Sequence, residues 1–163
     1  MTLDSMRIGI GYDIHRFQVG RPLRLGGVEL AGETGLGGHS DADVLLHAVI
    51  DALLGAAGLG DIGRHFPPDD PAWQGASSLD LLDRTLALLR DAGLTVESLD
   101  ATVIAERPRL APHAGLMCEN IARALDIPRE RVNVKATTSE GLGALGRGEG
   151  IAAMAVALLR EAD

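Results

Sequence analysis

The sequence predicts an α/β chain in the α+β sense, a mixed sheet of four to five strands combined with three helices. Three observations carry that expectation. Residues 7–12 alternate apolar side chains with small or polar ones, the period of two that a strand imposes. Residues 44–53 and 81–89 instead repeat apolar residues at helical spacing. Further on, strand-like runs at 99–106 and 131–137 bracket a third helical stretch at 112–125. At 163 residues the chain reads as one domain, 1–163, with residues 1–5 a frayed leader.

Taken in order, the first strand places Ile8, Ile10, Tyr12 and Ile14 on one face and Gly9, Gly11, Asp13 and His15 on the other. The apolar face is expected against the core, leaving the glycine face on the open side, bare enough for something to approach closely. Leu23-Arg24-Leu25 and Val28-Glu29-Leu30, joined by Gly26-Gly27, read as a hairpin. The glycines within 32–38 predict a flexible loop. Ser40 with Asp43 three residues on forms a capping-box-like start to the first helix. Its buried stripe is Val44, Leu45, Ala48, Val49, Ala52 and Leu53, and it ends near Gly55 or Gly58.

Residues 60–76 hold Gly60-Asp61-Ile62-Gly63 and Phe66-Pro67-Pro68-Asp69-Asp70-Pro71, too many breakers for regular structure; an ordinary surface loop is the plain reading. Ser77 with Asp80 caps the second helix, striped with Leu81, Leu82, Leu86 and Leu89 and stopped at Gly93. After the strand at 99–106 comes the turn Arg107-Pro108-Arg109, then the third helix, in which Cys118 packs as a small apolar residue. Val132 and Val134 alternate against Arg131, Asn133 and Lys135 in the next strand. Residues 151–159 are alanine-rich, so propensity favours a helix, while their place after a strand and a loop favours a strand.

Composition narrows the function. Apolar residues are 46% of the chain but the aromatics are one Trp, one Tyr and two Phe, so the core is aliphatic. A net charge of −8 argues against a nucleic-acid backbone or an anionic membrane as partner. A phosphorylated substrate stays compatible with that charge if metal ions and local arginines reverse the field at the site. Cys118 is the single cysteine, so no intrachain disulfide forms, in keeping with a reducing cytoplasm. No signal peptide opens the chain and no apolar run reaches membrane-spanning length, so a soluble, cytoplasmic protein is expected.

The sharpest chemical signal joins Asp13 and His15 to His47. On a strand the first two project from one face roughly 6.6 Å apart. His47 follows Asp43 by four residues and shares its face near the start of a helix. One carboxylate and two imidazoles are the usual protein share of a catalytic zinc site with one position open. Any one of these histidines alone would more often be an ordinary structural residue. A second candidate is Thr137-Thr138-Ser139-Glu140 before the glycine-rich residues 141–150. It lacks the Walker order, yet three hydroxyls and a carboxylate can bind phosphate and a hard cation such as Mg2+, the alternative being a capped turn.

These residues resemble the 2-C-methyl-D-erythritol 2,4-cyclodiphosphate synthase family. The likeness rests on Gly11-Tyr12-Asp13-Ile14-His15, His39-Ser40-Asp41-Ala42-Asp43 with His47, Gly60-Asp61-Ile62-Gly63, and Val132-Asn133-Val134-Lys135-Ala136-Thr137-Thr138-Ser139-Glu140. Gly146-Arg147-Gly148-Glu149-Gly150-Ile151-Ala152 extends it, so nearly the whole chain after Ser5 is covered in order. The resemblance implies a phosphorus-oxygen lyase of non-mevalonate isoprenoid biosynthesis. It would convert 4-diphosphocytidyl-2-C-methyl-D-erythritol 2-phosphate to the cyclic diphosphate and CMP. It implies helices on one face of the sheet, three subunits with their sheets around a central axis, and active sites between neighbours. It makes 151–159 a strand beside the first.

Carried over by position, Asp13, His15 and His47 match ligands of Zn2+ or a similar ion, and Glu140 matches the ligand of Mg2+ or Mn2+, which the substrate diphosphate also holds. His39 and Thr138 match groups that stabilise the transition state. Substrate contacts are implied for Asp13, His15, His39, Ser40, Asp61, Ile62, Gly63, Phe66 and Asp70. On the nucleotide side they are implied for Ala105, Arg109, Leu110, Ala111, Thr137, Thr138, Ser139 and Glu140. Arg147 resembles the arginine of an axial cavity where the family can hold an isoprenoid diphosphate. Ala144 stands where many members carry Phe near that cavity, and Pro68 replaces an acid common in the Phe-Pro-x-x-Asp loop.

Overall fold

The computed structural model of the chain describes residues 6–162; the leader expected at 1–5 lies outside the described residues. Five strands form one sheet in the order β2-β1-β5-β3-β4. They are β1 (Met6–Leu25), β2 (Val28–Leu36), β3 (Leu94–Ile104), β4 (Val132–Thr137) and β5 (Gly150–Glu161). All neighbours are antiparallel except β3 and β4, which run parallel, so the sheet is mixed as expected. The principal helices are α1 (Val44–Ala57), α3 (Ser78–Asp91) and α4 (Ala114–Ala124), with single-turn helices α2 (Ile62–His65) and α5 (Gly143–Gly146). Among the described residues no helix is long and apolar enough to cross a membrane.

The Gly26-Gly27 hairpin closes where the glycines stand, with Leu25 opposite Val28 and Leu23 opposite Leu30. Its second arm runs to Leu36, so most of the expected 32–38 loop is strand. The glycines there serve a bulged β1–β2 pairing, irregular between Phe17 and Leu23. Residues 60–76 are likewise not wholly irregular, because Asp61 caps α2 and Asp70 caps a 3-10 turn, Pro71–Trp73.

The two faces of β1 are reversed from expectation. Ile8, Ile10, Tyr12 and Ile14 are all roughly half to three-quarters exposed, and Gly9 and Gly11 lie under α1. A Cβ on Gly11 would fall 1.9 Å from the Ala48 carbonyl oxygen, and one on Gly9 2.1 Å from that of Ala52. Directly opposed residues share a face, so Ala153, Ala155 and Ala157 of β5, paired with Asp13, Gly11 and Gly9, also face α1. The helix therefore rests on glycine and alanine, nearer than larger side chains would allow. This explains why an alanine-rich segment is a strand: it is held between β1 and β3, where only a methyl fits beneath the helix. The reverse face carries the paired rows Ile10–Val156 and Tyr12–Met154, both exposed.

Helix α1 is buried on nearly every side, with Leu45, Leu46, Ile50, Leu53 and Leu54 inaccessible. It ends where Gly58, in the left-handed region, returns its N–H to Gly55 and Leu54 carbonyls. Its cap is Asp43 rather than Ser40: the Asp43 carboxylate accepts from Leu46 N at 3.0 Å. The same buried carboxylate accepts from Gly26 N at 2.9 Å and Gly27 N at 2.8 Å, tying the hairpin turn to the helix start. Burial pushes the Asp43 carboxyl up, and these backbone donors act against that push. Helix α3 also differs from expectation, since Ser77 makes no side-chain cap; Asp41 from the distant 39–43 turn accepts from Ser78 N at 3.0 Å instead.

Candidate metal centre

Because the glycine face of β1 is covered by α1, Asp13 and His15 do not point into open solvent but toward the first turn of that helix, where His47 meets them. Asp13 Oδ2 lies 2.7 Å from His15 Nε2 and 3.0 Å from His47 Nδ1, and the two ring nitrogens are 3.2 Å apart. Each residue thus offers one ligand atom to a common point, and the three atoms lie within 4.8 Å of one another. Zinc bonds of about 2.0–2.2 Å reach all three from one position.

The nitrogens turned away from that point are held. His15 Nδ1 donates to the Gly37 carbonyl, leaving Nε2 free of its hydrogen for a metal. His47 Nε2 lies 3.0 Å from the hydroxyl oxygens of both Ser40 and Ser78, leaving Nδ1 as the ligand. Fixed tautomers with outer partners are what a metal-binding imidazole requires. Burial pushes the Asp13 carboxyl up, but hydrogen bonds from His15 and His47 and their charge outweigh it, and the net position is well below the usual carboxylate range. Burial lowers His15, but its contacts to Asp13 and to the Gly37 carbonyl outweigh that and hold it above 6.5.

The ligand set opens onto a pocket of about 230 Å³ lined by His39, Ser40, Ile62, Gly63, Phe66, Pro68, Trp73 and Leu81. Of the expected substrate residues, His39, Ser40, Ile62, Gly63 and Phe66 are therefore beside the metal position. Asp61 and Asp70 do not line it; their carboxylates accept from Arg64 N and Ala72 N, both at 2.9 Å, and shape the loop instead. Ser40 Oγ accepts from Ala42 N at 3.2 Å and shares the one His47 Nε2–H with Ser78 Oγ, so the hydroxyl hydrogen of Ser40 is left as a donor for an incoming oxyanion. Trp73, the sole tryptophan, meets Phe66 edge-on at 5.1 Å and lies under Arg84.

The expected nucleotide residues form a second locus. Ile14, Ala152, Ile104 and Thr137 stand in one row across the sheet, so Thr137 is three strand spacings, about 14 Å, from β1. Thr138 Oγ1 donates to Glu140 at 3.1 Å, and Glu140 takes a left-handed φ of 52°. Leu110 and Ala111 line a pocket of about 280 Å³ with Val103, Val134 and Lys135; Ala105 and Arg109 do not line it. Within one chain, then, Glu140 and Thr138 do not join the metal pocket. Arg147 is exposed and paired with Glu149 at 2.7 Å, and Ala144 lines a further pocket of about 250 Å³ with Ile14, His15 and Leu145.

Sequence reasoning missed three organisers of these loci. Arg21 donates to the Gly38 and Ser40 carbonyls and so clasps the loop that delivers His39. Asp51, one turn after His47, accepts from Ile62 N at 2.8 Å and anchors the segment that opens α2 to α1. Glu106 accepts from Ser139 N at 2.8 Å and holds the 138–141 turn. Only Asp51, at helical spacing from His47, left a trace in the sequence.

A family model described as the YgbB family matches residues 6–160. The chain belongs to the YgbB family. A relative from Geotalea daltonii, 61% identical over 155 residues that span 95% of this chain and 91% of the relative, is named 2-C-methyl-D-erythritol 2,4-cyclodiphosphate synthase. One from Symbiobacterium thermophilum with the same name is 60% identical, spanning 94% of this chain and 98% of its own. Among solved structures, the bifunctional IspDF from Campylobacter jejuni superposes with a TM-score of 0.94 at 43% identity, over 97% of this chain and 43% of that longer one. IspF of Plasmodium falciparum, solved as a CDP complex, gives 0.86 at 32% identity over 99% and 100%. The mixed sheet and its helices are thus the fold of this YgbB family.

Proposed function

We propose that the chain converts 4-diphosphocytidyl-2-C-methyl-D-erythritol 2-phosphate to 2-C-methyl-D-erythritol 2,4-cyclodiphosphate and CMP. The observation that carries the reading is a cluster able to hold a metal ion, Asp13, His15 and His47, facing a pocket in a chain about 60% identical to enzymes bearing that name. The 2-phosphate oxygen forms a bond to the β-phosphorus as the bond to the CMP oxygen breaks, so charge is conserved and no strong base is needed. A divalent ion such as Zn2+, when bound by the three ligands, neutralises phosphoryl charge and polarises the oxygens. Ser40 offers its remaining O–H, and His39 and the α2 backbone position the erythritol phosphate. Phe66, Pro68 and Trp73 wall the pocket, and holding both ends of the substrate removes about 7–11 kcal/mol of ring-closure cost in favourable cases.

Thr138, with Glu140 as ligand of a Mg2+ or Mn2+ ion on the diphosphate, serves the nucleotide end. Since those residues stand about 14 Å across the sheet from β1 in one chain, a complete site needs the nucleotide locus of a neighbouring copy. The exposed rows Ile10–Val156 and Tyr12–Met154 supply the apolar face for a homotrimer around a central axis. The enzyme would act in the cytoplasm, with Cys118 reduced. Incubation with the substrate, Zn2+ and Mg2+, followed by phosphorus NMR, should give the cyclic diphosphate and one CMP per turnover. Linear phosphate products would instead mark a metal-dependent phosphohydrolase using the same ligands.

A further inference from the structure

We propose that Asp41 and Ser78 are positioning residues for the metal centre, a hydroxyl relay that fixes the ring of His47 from behind. The inference rests on the metal reading of Asp13, His15 and His47. Hydrogen-bond bookkeeping gives the relay a single direction. His47 Nδ1 faces Asp13 Oδ2 and His15 Nε2 at 3.0 and 3.2 Å, so as a ligand it carries no hydrogen and Nε2 does. That one Nε2–H is shared by Ser78 Oγ and Ser40 Oγ, both at 3.0 Å, and Ser78 turns its own hydrogen to Asp41 Oδ1, an acceptor with none to give. Asp41 is itself fixed, accepting from Ser78 N at 3.0 Å through Oδ2 and from Asp43 N at 3.3 Å through Oδ1.

The surroundings favour a working contact over an incidental one. Ser78 is wholly buried and His47 nearly so, so neither can exchange its partner for bulk water. Ser78 opens α3 and Asp41 belongs to the turn before α1, so the relay also locks the angle between the two helices that bound the pocket. Ser40 touches the same nitrogen but lines the pocket, where its hydrogen is left for a ligand; Ser78 is wholly buried and does not line it. Outer partners of this kind are worth 10–100-fold in metal affinity.

The test uses the full chain and measures zinc affinity by competition with a chelator. Ser78→Ala and Asp41→Asn should each weaken binding 10–100-fold. Because the two act in series, the double variant should lose no more than the worse single one, whereas separate structural roles would multiply. In the zinc-loaded protein with 15N-labelled histidine, the Nε2–H signal of His47 should be protected in wild type and shifted upfield in Ser78→Ala, where it keeps only Ser40 as an acceptor. If Ser78→Ala does not fold, Asp41→Asn with the same two readouts decides. Single variants with wild-type affinity, multiplicative losses, or an unprotected Nε2–H in wild type would overturn the relay. A wild-type chain that binds no zinc would overturn the metal reading as well.

Discussion

Replacing Gly11 by alanine tests whether the seating of α1 on bare backbone sets the metal geometry. The new methyl would lie 1.9 Å from the Ala48 carbonyl oxygen and 2.6 Å from Ala52 N, against 3.4 Å for ordinary contact. Both are backbone atoms of a buried helix, so no side chain can swing aside. Helix α1 must retreat by about 1.5 Å, the gap between 1.9 and 3.4 Å. Overpacking of this kind costs about 1–3 kcal/mol, and with two backbone atoms obstructed the upper end is expected, a Tm lower by about 6–12 °C. His47 adjoins Ala48 and moves with it, while metal bonds tolerate about 0.2 Å. Zinc affinity should therefore collapse along with kcat/KM, a 1 Å misplacement alone being worth about 100-fold in rate. Gly9→Ala is the control: its methyl meets Ala52 O at 2.1 Å and Ala56 N at 2.4 Å, farther from His47. It should lose similar stability and keep more of the zinc affinity. A Gly11→Ala chain that melts and binds zinc like wild type would refute the argument.

Three further outcomes are expected. Asp43→Asn turns an amide donor toward one of the Gly26, Gly27 and Leu46 N–H groups, all buried or nearly so; leaving one unsatisfied costs about 1–3 kcal/mol, read as a lower Tm with zinc affinity little changed. In the metal-free protein the stabilisation from Asp13 is present above 3.8 and lost as pH falls toward its depressed folded value, and that from His15 is present below 6.5 and lost as pH rises through its raised value. The Tm difference between wild type and Asp13→Asn should therefore peak between those limits, and zinc affinity should climb as His15 deprotonates. Finally, His47→Ala should abolish zinc binding and turnover, while Thr138→Ala should leave activity reduced by about 2.7–4 kcal/mol of lost transition-state stabilisation; equal kinetics for His47→Ala and wild type would count against the zinc assignment.

The candidate metal cluster was legible because strand alternation and helical spacing are local rules, and Asp13, His15 and His47 obey them. Which face of β1 meets the core was not. Alternation says that Ile8, Ile10, Tyr12 and Ile14 share a face, but not that α1 covers the opposite one. The overlooked clue was complementary: Gly9 and Gly11 on the strand, and Ala48, Ala52 and Ala56 at four-residue intervals on the helix, the signature of two backbones in close approach. The caps failed for a related reason. Ser40 and Ser77 fit the local pattern, yet Asp43 caps α1 through Leu46 N and was drawn away from the box partner's place by also holding Gly26 and Gly27, while Asp41 caps α3 from 37 residues away, which spacing cannot disclose. The same holds for Glu106 and Ser139, joined only by the parallel pairing of β3 and β4.

The exposed isoleucines and Tyr12 alternate, residue by residue, with Asp13 and His15, the two members of the candidate metal cluster that β1 contributes. Pressure applied to one side of that ribbon is felt on the other, because the same peptide planes aim both sets of side chains. With the proposed trimer assembled on that face, dilution and metal loss would become one coupled equilibrium: a zinc titration should read tighter in concentrated solution than in dilute, and a surface mutation at Ile10 should announce itself in an ion it never touches.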